Sequence, residues 1–80
     1  MEIDVDIKGK NLERIFEKIK KDADINGIKI EGTKEKGIFF NNARSIAGSY
    51  EAKNDVMSIR LYMPFVFPGS IVEEKIREYF

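Results

Sequence analysis

The stretch Asp22-Ala23-Asp24-Ile25-Asn26-Gly27 places oxygen-bearing side chains at every second position and a glycine at the sixth. That is the first half of a calcium loop. A hard cation needs several oxygen ligands within one turn of chain, and a glycine at the sixth position lets the backbone bend around the ion. Asp22, Asp24 and Asn26 are the candidate side-chain ligands for Ca2+, with the backbone carbonyl of Ile28 and the carboxylate of Glu31, or of Glu35, completing the set. Lys29 and Thr33 stand where an EF-hand has an apolar residue and its bidentate Glu. The competing reading is a polar helix end with Asn26-Gly27 turning the chain into a strand.

Met63-Pro64-Phe65-Val66-Phe67-Pro68 is apolar where a polar connection is expected. Its two prolines stop a strand or helix from running through it, so it reads as hydrophobic loop. Phe65 and Phe67 suit anchors that plug the end of a small core. Phe65, Val66 and Phe67 also suit an exposed corner that docks a partner protein, a second copy or a small apolar ligand, since soluble monomers seldom leave such runs in water. Lys36-Gly37-Ile38-Phe39-Phe40 looks like the aromatic strand of an RNA-recognition sheet, without its second glycine or its aromatic spacing. A buried strand with Ile38 and Phe40 inward accounts for it. Asp4 and Asp6 beside Arg60 and Tyr62 are the nearest approach to a catalytic set, and alternating charges on a strand form a solvated face.

Composition removes most other chemistry. The 80 residues contain no Cys, no His and no Trp, which excludes disulfides, thiolate zinc, iron–sulfur clusters, Cys nucleophiles and imidazole bases. No enzymatic constellation is assembled, and no cofactor other than Ca2+ is indicated. Fourteen basic side chains balance fourteen acidic ones, whereas nucleic-acid binding needs a surplus of cations to displace condensed counterions. The longest charge-free stretch, Leu61 to Val72, spans 12 residues and contains both prolines, short of the roughly 20 that cross a bilayer. No signal segment is visible, and a cytoplasmic location is expected. The weight of Lys, Glu and Ile and the lack of Gln resemble thermophile usage.

The elements that must hold these residues are legible from periodicity. Ile3, Val5 and Ile7 alternate with Glu2, Asp4, Asp6 and Lys8, the period of a half-buried strand. Asn11 suits a cap, and Leu12, Ile15, Phe16, Ile19 and Ala23 then form a helical stripe. Four strands are predicted next: Ile28 to Glu31; Gly37 to Asn41; Arg44 to Ala52 with Ile46, Gly48, Tyr50 and Ala52 on one face; and Val56 to Met63 with Met57, Ile59, Leu61 and Met63 on one face. Asn41-Asn42 and Lys53-Asn54-Asp55 are the hairpin turns. Ser70-Ile71-Val72-Glu73 reads as a capping box opening a helix with Ile71, Val72, Ile76, Tyr79 and Phe80 as its stripe. One alternating face per strand and one stripe per helix predict a single α+β domain over 1–80: a two-layer sandwich, β-α-β-β-β-β-α, with an antiparallel-rich sheet and both helices on one face.

The C-terminal half carries a resemblance. Gly48-Ser49-Tyr50-Glu51, the turn at Asn54-Asp55, the alternating Val56 to Leu61 strand, Met63-Pro64-Phe65 and the helix Ile71-Val72-Glu73-Glu74-Lys75-Ile76 are similar to the small polyhydroxyalkanoic acid system (granule-associated) proteins. The similarity runs mainly over residues 44–78, with residues 1–32 matching in outline. It implies a small α+β accessory domain without catalytic activity that associates with an apolar surface or with itself. Asp22 to Gly27 lies outside that pattern.

Overall fold

A computed structural model describes residues 1–41, 45–62 and 69–80. Along the chain lie β1 (Glu2–Asp6), α1 (Leu12–Ile25), β2 (Lys29–Gly32), β3 (Lys36–Phe40), β4 (Ile46–Lys53), β5 (Val56–Leu61) and α2 (Gly69–Tyr79). The five strands form one sheet in the order β1-β5-β4-β3-β2, every neighbour antiparallel. The order has a plain cause. β2 to β5 are antiparallel neighbours in chain order, a meander, so β1 is left to pair with β5, and α1 carries the chain from one edge of the sheet to the other.

Alternation decides the inside. Ile3, Val5 and Ile7 lie beside Met57, Ile59, Leu61 and Tyr50 as the buried core, and every one of them sits on the same face of the sheet. Leu12 and Phe16 from α1 and Val72, Ile76 and Phe80 from the α2 end pack onto that same face. Both helices therefore cover one side. Asn11 caps α1 as its type suggests, its Oδ1 accepting from the Arg14 amide at 3.2 Å. At the β4–β5 turn Asn54 and Asp55 adopt φ of 52° and 63°, the left-handed pair of a two-residue type I′ hairpin.

Three local expectations are corrected. In β3 the inward residues are Gly37, which is buried, and Phe39, which packs on the core, while Ile38 and Phe40 belong to the other face. The reason is Tyr50: its ring lies 5.2 Å from that of Phe39 and 6.2 Å from that of Phe16. A Cβ at Gly37 would meet the Tyr50 ring carbon Cζ and the Glu31 carbonyl at 2.6 Å each, so only glycine fits opposite that phenol. Second, Ile46 leaves the inner face and is 53% exposed. Phe39 pairs with Gly48 but Phe40 with Ile46, so the ladder bulges at Ala47 and the face of Ile46 reverses. Third, α2 starts at Gly69, which puts Ser70 inside the first turn. Glu73 is then free to accept from Arg77 Nε at 3.0 Å, and Ile71 is exposed.

Candidate association surface

The Asp22–Gly27 turn is held by the backbone. Gly27 has φ of 77°, and its amide donates to Asp24 O at 3.1 Å while the Ile28 amide donates to Ala23 O at 2.8 Å. Those two bonds are the paired closure of a Schellman stop, which satisfies carbonyls that the helix end would leave bare. Asn26 closes the helix: its amide donates to Ala23 O and its Nδ2 to Asp22 O at 2.8 Å. Asp22 and Asp24 stand within α1 two residues apart, about 200° around the helix, so they face different ways. The Asp22 carboxylate accepts from the Tyr79 hydroxyl at 2.7 Å, tying α1 to α2. Glu31 is exposed on β2, where its partner across the ladder is Ile38. Among the described residues no group of three or more carboxylates is gathered to hold an ion. Ligation by Asp22, Asp24 and Asn26 together would require the last turn of α1 to unwind.

The helix-free face carries the other candidates. Arg60 Nε lies 3.6 Å from the Glu2 carboxylate, and Lys36 Nζ lies 3.4 Å from Glu51, both across neighbouring strands. Asp4 stands opposite Ser58, and Ser49 Oγ lies 3.4 Å from the Tyr62 hydroxyl. The residues considered as a catalytic set are thus spread along the helix-free face, Arg60 paired to Glu2 and Tyr62 to Ser49. At one end the surface turns apolar: Tyr62 is 49% exposed, Ile46 53% and Ile38 38%, with Phe40 half-buried among them. The Tyr62 amide donates to Ala47 O at 2.8 Å, which fixes the chain there as it enters the proline-bounded run. Phe65, Val66 and Phe67 themselves lie outside the described residues.

On the helix side, a cleft of about 40 Å³ lies between α1 and the sheet, lined by Phe16, Ile19, Ile30, Phe39, Tyr50 and Phe80 among others. That is far below the roughly 300–1,000 Å³ of ligand pockets, so the cleft is a packing gap between helix and sheet. No helix of the described residues is long and apolar enough to cross a membrane. Three features were not foreseen from sequence: the Tyr79–Asp22 bond, the reach of Arg77 Nη1 to the Asp4 carbonyl at 3.3 Å, and the bond from the Tyr50 hydroxyl to Thr33 O. Each joins residues far apart in the chain, and periodicity carries no signal for such pairs. Comparison with family models, with curated proteins and with solved structures finds no match to this chain in any of the three.

Proposed function

We propose that this chain is a cytoplasmic, non-catalytic association domain acting through its Pro-bounded corner, Phe65, Val66 and Phe67, and through the apolar end of the helix-free sheet face. Self-association is its simplest form, because a two-fold dimer needs only one self-complementary patch. The observation that carries this reading is the exposure of Tyr62, Ile46 and Ile38 together at the point where the chain enters the corner. Apolar surface where the chain leads into an apolar run suits an interface core, whereas most of the rest of that face is polar, with Glu2, Asp4, Lys36, Glu51 and Arg60 on it. The resemblance to granule-associated proteins points the same way, toward an apolar surface or a second copy as partner. The test compares sedimentation of the unaltered chain with that of a Phe65→Ser, Phe67→Ser variant. Weaker association of the variant, with unchanged far-UV dichroism, supports the reading; equal behaviour of the two chains removes the corner from it.

A further inference from the structure

The sheet ends in two edge strands, β1 and β2, and they differ in what a second copy would meet there. β1 binds β5 through its odd residues: Met1 and Leu61 exchange bonds of 3.1 and 2.8 Å, and the Ile7 amide donates to Asp55 O. The even residues Glu2, Asp4 and Asp6 therefore turn their amides and carbonyls outward. Two copies joined here about Asp4 would set Glu2 against Asp6 and Asp4 against its own counterpart, like charges directly opposed. Arg77 also lies across this edge on the Asp4 carbonyl. A second copy is repelled from it.

β2 is the opposite case. The Thr33 amide donates to Lys36 O at 2.8 Å, so in the register Glu31 with Ile38 and Lys29 with Phe40 the odd residues bond β3. Ile30 and Gly32 point their backbone groups out of the sheet, and no described residue bonds them. Gly32, at φ of 141°, keeps this end of the strand free of a side chain. Lys29 and Glu31 flank Ile30 on the helix-free face, both exposed and neither in a salt bridge among the described residues. Ile30 faces the helices, half-buried, lining the cleft beneath α1.

We propose that β2 is the self-association edge: two copies pair antiparallel through Lys29-Ile30-Glu31 about a two-fold axis at Ile30. In that register the two Ile30 residues exchange both backbone bonds, and Lys29 of each copy stands opposite Glu31 of the other. The two Ile30 side chains meet on the helix side and extend the core across the join. Two five-stranded sheets become one of ten strands with all four helices on the same side. Assembly closes at two, because the edges left over are the acidic, Arg77-covered β1 strands. This proposal rests on the reading of the chain as an association domain and sets the contact between two copies at β2 instead of at the corner.

The test is a charge swap on the full chain, followed by sedimentation from about 10 μM to about 1 mM, a range suited to a short, weak contact. Lys29→Glu and Glu31→Lys each place like charges opposite one another twice, and each raises the dimer dissociation constant at least about tenfold. The double variant Lys29→Glu, Glu31→Lys restores complementarity and returns the constant to within about threefold of the original. Hydrogen exchange at the Ile30 amide slows as protein concentration rises. Unchanged dissociation in the single variants, failure of the double variant to recover, or exchange at Ile30 independent of concentration overturns the β2 pairing. If a dimer persists through the charge swap but weakens in the Phe65→Ser, Phe67→Ser variant, association stands and the edge assignment falls. A monomer throughout removes both.

Discussion

Tyr79 shows how one residue joins the two helices. Its hydroxyl donates to Asp22 Oδ2, and burial first, then that bond and the nearby Asp22 and Glu78 charges, push its phenol up to about 12. A phenol whose folded pKa exceeds its unfolded value near 10 contributes stability that is intact below about pH 10 and lost as pH rises toward 12. Burial also raises Tyr50. In an alkaline titration followed by tyrosinate absorbance, Asp22→Asn is expected to lower Tyr79 part of the way, burial and Glu78 still holding it above its ordinary value, and to leave Tyr50 raised; no change at Tyr79 contradicts the pairing. Gly37 gives a second check, on stability. Gly37→Ala forces a methyl group against Tyr50 and the Glu31 carbonyl, and urea unfolding should show a loss of about 1–3 kcal/mol, the range for overpacking a filled site. At the turn beside Asp22, calcium titration with amide NMR decides between ligation and a helix stop. Because the Schellman bonds and Tyr79 already occupy that turn, residues 22 to 31 are expected to keep their shifts at millimolar calcium, and shifts confined to them would establish ligation.

At the scale of elements, what the sequence made legible is what local periodicity encodes. β1 and β5 alternate without interruption, and their inner residues are the buried core. β3 offers Ile38, Phe39 and Phe40 in a row, a run with no alternation, so its phase had to come from a partner strand. The small Gly37 opposite the large Tyr50 sets it. Ile46 looked inward by parity and turned out because a bulge of one residue at Ala47 intervenes, and a bulge leaves no mark in a hydrophobic pattern. The Asp22–Gly27 motif was legible as residue types but ambiguous as chemistry, since a helix stop and the opening of a calcium loop both call for polar residues followed by glycine. The β2 edge was legible only once strand order was known: Lys29-Ile30-Glu31 is self-complementary in any chain, and it matters here because β2 ends the sheet. The β4–β5 hairpin allows a prediction at this scale. Asp55 holds φ of 63° at a position where glycine carries no steric cost, so Asp55→Gly should stabilise the fold by about 0.5–1 kcal/mol in urea unfolding, and a loss of stability would show that its side chain contributes more than its backbone strain costs.

For the molecule as a whole, one face of the sheet is spent on burying two helices, and the other face is left to solvent among the described residues. The charged part of the open face is solvated and internally paired at Glu2–Arg60 and Lys36–Glu51. Exposed pairs of this kind add about 0–1 kcal/mol each, so they keep the surface wet more than they hold the fold. The proposed association uses the apolar end of that face and the outward backbone of β2, which no described residue bonds. A concentration series in the analytical ultracentrifuge tests the association reading most directly. The account predicts an average mass that starts at the 9.2 kDa of one chain and climbs with concentration toward a plateau at twice that value. A mass that stays at 9.2 kDa across the whole series would contradict it.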